Sequence, residues 1–440
     1  MRNIKKIFSI VILTCNIQFA FPQKVNEVYT PIENSVPENS KVKQTNIVPN
    51  YTILNVDRTQ QNIETIMREV EQHQMLRKQH ESLETEKYYD ANYLKIRAIE
   101  NNYWNALTGI KEMLAGNQPL DLKKAVYLVE HAFLPSLTYS DFDNKIQQLV
   151  EICRLKMEQE NLDMTNPLAI NLAIQKIMSD TVEVKMTGQE QTIKHYPFIY
   201  DFDDAWGEKD HANQFVSKLL YTKSGQCHSL PLLYLILAQE LNSEAYLAFA
   251  PHHSYIKFKD ESGKFYNYET TSGYLISDNA LMRSGFITAE AIKNKVFLDT
   301  LSKTETIGYC LSDLAQGYFH LLGFGNGEFL KEATDLSLKY FPDRNLRAYM
   351  IKSNLSQAIF LSEAKKNGVK SFEEAMQNIE LKKLWDIHDG YYRLVQDKGY
   401  SEITKETYLN WVKSIQELNS KMTNEEIYTH LKNELKRYEN

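Results

Sequence analysis

The sequence predicts an α+β protein, mostly helical, in which a small antiparallel sheet packs with helices and is flanked by helical regions. Three observations carry that prediction. Apolar residues recur at helical spacing before residue 180 and again after residue 300. Between them, an apolar helical run at 229–241 leads into three short strand-like segments. Those segments follow one another instead of alternating with helices, which argues against a parallel sheet. At 440 residues the chain has room for roughly two to three domains.

The first twenty residues read as a secretory signal. Arg2, Lys5 and Lys6 form a basic start, and residues 7–13 form an apolar stretch too short to anchor. Cleavage near Ala20 and soluble release is the reading adopted, giving an exported protein: periplasmic, cell-surface or extracellular. The alternative is a lipid anchor at Cys15, because Ile12-Leu13-Thr14-Cys15 approximates a lipobox with Thr where a smaller residue is preferred. Beyond the start, the longest apolar run is 230–238, far short of the roughly twenty residues a membrane span needs. The formal charge of −7 gives no basic footprint for nucleic acid.

Residues 21–56 carry Pro22, Pro31, Pro37 and Pro49 without a clear period and read as an irregular leader. An N-terminal helical region follows over 57–180. Its stripe begins at Ile63, Ile66, Met67 and Val70, it breaks near Pro135, and its last helix is capped by Thr165 or Asn166 ahead of Pro167. The core is predicted over 181–300. It opens with a short strand at 182–185, an acidic loop around Asp201–Asp204, and a short helix at 213–220. The apolar helix comes next, then strands at 245–250, 254–259 and 264–269, the last two joined at Glu261-Ser262-Gly263 as a hairpin. Residues 301–440 return to helices. Within them, 314–342 weakly matches a tetratricopeptide frame through Gly317, Tyr318 and the Ser337–Pro342 end, against the plainer reading of a packed bundle.

The chemistry concentrates at Ser224-Gly225-Gln226-Cys227-His228. Pro231 fits the first turn of the apolar helix, where a missing N–H is tolerated. Cys227 therefore sits at a helix N-terminus, whose N–H groups and dipole favour a thiolate and can hold an oxyanion. A thiolate needs a base, and the base an orienter. His253 opens one strand and Glu269 closes its hairpin neighbour; Asn267 lies on the same face by alternation and is a second candidate orienter. His252 replaces His253 if the register slips by one. His228 reads as a solvated helix-start residue. Cys153 and Cys310 lie in apolar helical contexts and read as buried structural thiols. Asp201, Asp203, Asp204 and Glu208 read as a solvated acidic loop, and no zinc-type C-x-x-C or H-E-x-x-H spacing is present. Trp385, Tyr391, Tyr392 and Trp411 read as packing residues.

Three blocks, Ser224-Gly225-Gln226-Cys227, His253-Ser254-Tyr255-Ile256-Lys257-Phe258 and Phe265-Tyr266-Asn267-Tyr268-Glu269-Thr270-Thr271, resemble the three blocks of the transglutaminase-like core. That core reads G-x-C at a helix start, H-A-W on one strand and W-x-x-x-D-P-T on the next. The chain is most similar to the SirB-like group, which pairs the core with a tetratricopeptide-like tail. The resemblance covers about residues 195–300. It implies a papain-like fold and a Cys227–His253–Glu269 triad for thiol peptidase, amidase or crosslinking acyl transfer on a protein or peptide, needing no cofactor. The alternative is a descendant that binds through its helical domains without catalysis. Glu269 stands where the family has Asp, and Thr270 where it has Pro. Gln226, Asn213 and Gln214 are the candidates for a second oxyanion donor.

Overall fold

The computed structural model describes residues 91–185, 192–283, 287–400 and 403–419, with single positions 431, 433 and 435. The export signal, Cys15, the leader and the helical stripe at 63–70 lie outside the described residues. Four helices come first: α1 (Ala91–Leu114), α2 (Leu122–Phe133), α3 (Tyr139–Gln159) and α4 (Pro167–Ser179). Asn166 caps α4, its Oδ1 accepting from the N–H groups of Leu168 at 2.9 Å and Ala169 at 3.2 Å, with Pro167 in the first turn. The break expected near Pro135 separates α2 from α3, because Thr138 caps α3 anew after it.

Two strands, β1 (Val182–Lys185) and β2 (Thr192–His195), pair antiparallel. Next, β3 (Ile199–Tyr200) pairs in parallel with β4 (Ser224–Gly225), a contact absent from the sequence reading. Between them lie a 3₁₀ turn (His211–Gln214) and α5 (Val216–Thr222), so the expected helix at 213–220 is split. Buried Glu130 of α2 accepts the N–H groups of Val216 at 2.6 Å and Ser217 at 2.8 Å, capping α5 from another helix.

Helix α6 (Ser229–Glu240) is buried from Ser229 through Ala238. It is apolar all round, which only a central position tolerates. A four-stranded antiparallel sheet follows in sequential order: β5 (Tyr246–Ala250), β6 (His253–Lys259), β7 (Phe265–Glu269) and β8 (Tyr274–Ile276). The β6–β7 hairpin forms as expected; β8 was not anticipated, being three residues after a glycine turn. Two short helices, α7 (Asp278–Arg283) and α8 (Ala289–Lys293), lead to α9 (Lys303–Leu322), whose Ser302 and Glu305 form a capping box.

The chain ends in α10 (Glu328–Tyr340), α11 (Leu346–Lys366), α12 (Phe372–Gln377), α13 (Ile379–Asp397) and α14 (Lys405–Asn419). Helices α12 and α13 are separated at Asn378, whose side chain caps α13. The described protein is mostly helical with small sheets, as the composition of its periodic segments predicted. One contiguous buried cluster joins α1–α6, the four-stranded sheet, α9, α10 and residues Tyr408, Trp411 and Val412 of α14. Helix α14 thereby packs onto the sheet end where His253 lies. No helix among the described residues is long and apolar enough to cross a membrane.

Candidate active site

Local backbone chemistry sets the position of Cys227. Lys223 takes a left-handed turn at φ 60°, and β4 then runs beside β3, where Asp201 N–H bonds Gly225 O at 2.8 Å. Gly225 is required by close approach. A Cβ on Gly225 would stand 2.6 Å from Ser229 Oγ and 2.9 Å from Leu219 Cδ1. Ser229 Oγ is needed there because it accepts the Gln226 N–H at 3.0 Å, closing the turn that carries Cys227. Gly225→Ala is expected to destabilise the fold by about 1–3 kcal/mol and to slow Cys227 alkylation. Chemical denaturation and a timed thiol reaction measure the two effects, and a neutral result in both would remove the packing argument.

Cys227 immediately precedes α6, whose N-cap is His228. Pro231 in the first turn has no N–H to give back to the Cys227 carbonyl four residues earlier. That carbonyl instead accepts the hydroxyl of Ser254 on β6. A proline in the helix thus ties the nucleophile's backbone to the strand that carries His253.

On the other side, Pro251 and His252 form a two-residue turn between Ala250 and His253, which pair across β5 and β6. His252 has φ 55°, so the order of Pro then positive φ matches a type II turn. The turn sends the two histidines apart. His252 Nε2 meets Tyr400 Oη at 2.9 Å and its ring packs 5.1 Å from Trp206. Burial, with the charge of Arg347 adding to it, pushes His252 down to about 4.

His253 is buried, with Nε2 2.7 Å from Glu269 Oε2. Register explains why Glu269 and not Asn267 reaches it. Asn267 pairs with Lys257, and Glu269 lies two residues nearer the His253 end of the hairpin. The Asn267 amide donates to Ile276 O at 3.0 Å and Asp278 Oδ1 at 2.8 Å, so the second candidate orienter is turned to a different partner. The other oxygen of Glu269 accepts the N–H of Thr271 at 3.0 Å and its hydroxyl at 2.9 Å.

A residue outside the sequence reading completes the group. Tyr408 Oη lies 3.3 Å from Cys227 Sγ, 3.2 Å from His253 Nδ1 and 3.2 Å from Tyr200 Oη. A hydroxyl has one proton and two lone pairs. Donation to sulfur leaves Tyr408 to accept from His253 Nδ1–H and from Tyr200. With Nε2–H donating to Glu269, the ring then holds both protons, and the network is satisfied by an imidazolium facing a thiolate. The titration directions agree. Burial opposes the Cys227 thiolate, but the neighbouring His253 cation and the bond from Tyr408 outweigh it, and the thiol is lowered. Burial likewise opposes the His253 cation, but the Glu269 carboxylate and Cys227 outweigh it and push it up to about 10. Trp411 stands edge-on to the His253 ring at 5.0 Å, so it shields the pair as well as packing.

The other two described cysteines behave differently. Cys153 and Cys310 are buried free thiols; burial pushes Cys153 up to about 12, and burial with the charge of Asp313 pushes Cys310 well upward. His228 is not solvated: its Nε2 lies 3.2 Å from Asp313, with the ring enclosed by α9. In the acidic loop Asp203 and Glu208 are exposed as expected, but Asp204 is not. Asp204 is buried and accepts the N–H groups of Glu208 at 2.9 Å, Lys209 at 3.1 Å and Asp210 at 3.1 Å, organising the loop beneath the site. Among the oxyanion candidates, the Gln226 and Asn213 amides both bond Asp204, whereas Gln214 lines the cavity beside Cys227. Among the described residues no cluster of three or more His, Cys, Asp or Glu is placed to hold a metal ion.

Tyr408 and Trp411 carried no distinguishing signal in the sequence, since an aromatic pair three apart on an amphipathic helix reads as core. Tyr200, alone on a two-residue strand, carried none. No family model, no curated protein and no solved structure matches the chain.

Proposed function

We propose that the chain is an exported thiol enzyme with a transglutaminase-like core, acting on an amide of a protein or peptide by acyl transfer or hydrolysis. The observation that carries the reading is the contact set of a lowered thiol, a raised imidazole and a buried carboxylate on three separate elements. In this reading the Cys227 thiolate attacks the carbonyl carbon, and the oxygen takes the charge beside the Cys227 N–H and the Gln214 amide. His253 gives its Nδ1 proton to the departing amine as the C–N bond breaks, leaving a thioester. Water or a second amine then attacks, His253 takes that nucleophile's proton, and the acyl product leaves as the thiolate re-forms. Glu269 holds the ring throughout.

A non-catalytic scaffold is the second reading, and one observation favours it. The Tyr408 hydroxyl occupies the space between sulfur and imidazole where a substrate proton would move. Timed alkylation with site assignment by mass spectrometry separates the two readings. For an enzyme, Cys227 in the native protein reacts faster than in the unfolded chain, Cys153 and Cys310 stay protected, and Cys227→Ala removes the fast phase together with any amide turnover. Native Cys227 reacting no faster than unfolded would leave the scaffold.

A further inference from the structure

We infer that the cavity beside Cys227 takes a carboxylate of the substrate, and that Arg347 is the residue that selects it. The inference rests on the acyl-transfer reading of Cys227, whose substrate it narrows to peptides carrying an acidic side chain or a free C-terminus next to the reacting amide.

The cavity measures about 170 Å³ and is bounded by Cys227, His252 and Trp206 on one side and by α9 and the start of α11 on the other. A cavity of ~150 Å³ admits a benzene-sized group, so one amino-acid side chain fits. Phe249, Val296 and Phe297 give it apolar walls suited to a methylene stem. Two arginines, Arg344 and Arg347, stand on its rim, and they differ in what their guanidinium groups already hold. Arg344 donates from Nη1 to Lys295 O at 3.3 Å, Asp299 Oδ2 at 3.1 Å and Thr300 O at 3.3 Å, and from Nη2 to Glu305. It braces the loop before α9, with both of its terminal nitrogens already engaged.

Arg347 bonds Asp313 through Nη1 alone, and its guanidinium carbon stands 4.7 Å from the centre of the Tyr309 ring. Among the described residues its Nε and Nη2 donors have no partner. A guanidinium with an open edge matches the two oxygens of a carboxylate in its fork geometry. The Arg347 side chain is part-buried and lines the cavity, so a carboxylate bound there meets N–H donors that no described residue holds. The two oxygens of Asp313 are divided between Arg347 and His228, so Asp313 takes only one edge of the guanidinium. The neighbouring His252 stays neutral and adds no competing cation. Trp206 Nε1, which also lines the cavity, is a buried donor without a partner among the described residues.

The test uses full-length Cys227→Ala protein, so that binding is read without turnover. Three N-acetylated tripeptides are titrated by calorimetry: alanine–glutamate–alanine amide, its glutamine twin as the amide, and the glutamine peptide with a free C-terminus. One or both carboxylate peptides are expected to bind about tenfold or more tighter than the neutral amide. The one that does identifies the source of the carboxylate. Adding Arg347→Gln is expected to erase the preference, and Arg347→Lys to reduce it by removing the fork. Because loss of Arg347 uncovers Asp313, the comparison of the three peptides on the parent protein stands independently of whether those variants fold. Equal affinity for all three peptides, binding of none, or a preference that survives Arg347→Gln in folded protein overturns the inference. Slow alkylation of native Cys227 would instead sink the acyl-transfer reading and leave the titration unaffected.

Discussion

Glu269→Gln is expected to slow alkylation of Cys227 at neutral pH by about ten- to a hundredfold, the range that follows from losing a hydrogen bond to a charged group. Glu269 acts on sulfur in two opposed ways. Its own negative charge works against the thiolate, while its bond and field keep His253 charged, and the imidazolium is the stronger influence on Cys227. Without the carboxylate, burial of His253 prevails and the proton returns from imidazole to sulfur. The rate profile should therefore move to higher pH, toward the ordinary thiol midpoint of about 8.5. Stability gives a second reading of the same pair. The His253 proton is held more tightly in the folded state, so its contribution is complete below the unfolded value of about 6.5. It is lost as pH rises through about 10. Denaturation of the variant should show a penalty at pH ~6 that shrinks toward pH ~10, and breaking a buried pair costs about 3–5 kcal/mol. An unchanged or faster alkylation rate would show that Glu269 does not support the thiolate.

Tyr408→Phe is expected to raise the midpoint of Cys227 alkylation by about one to two pH units, since a hydrogen bond to an ion contributes about 1.5–3 kcal/mol and a unit is about 1.4 kcal/mol. The Tyr408 ring remains, so its packing with Trp206 at 5.3 Å and Trp411 at 5.9 Å is retained and the fold is spared. What disappears is one donor to sulfur and one acceptor for His253. Amide turnover distinguishes the roles of this hydroxyl. A variant whose turnover falls in step with the thiolate fraction identifies Tyr408 as a positioning residue. A rise in turnover despite fewer thiolates identifies it as an obstacle that substrate must displace. No shift in the alkylation midpoint would mean that the hydroxyl does not hold the thiolate at all.

Much of this was legible from the residues alone, wherever a feature depends on neighbours close in the chain. The mostly helical α+β class follows from periods of hydrophobicity. The Asn166-Pro167 cap, the apolar α6 and the β6–β7 hairpin follow from short patterns. The candidate thiol at the helix start and the histidine beginning the next strand could be named because each lies beside a local signal, Gly225 and Pro231 in one case and Pro251 in the other. The choice between Glu269 and Asn267 could not be made that way. Both have the same strand parity, and only the register of two strands decides which one reaches the ring.

The remainder belongs to distances in space that sequence spacing does not encode. Tyr408 lies 181 positions from Cys227, and Arg347 arrives on a helix that reads as ordinary packing. His228 and Asp204 look like surface groups by type, yet the close packing of α9 and of the 200–215 loop buries them against specific partners. The sequence by itself determined which residues can do chemistry and which local elements hold them, because turns, caps and periods are short-range physics. The tertiary structure alone decided which of those groups share a proton, because that depends on contacts of a few ångströms made only when distant helices close over the sheet.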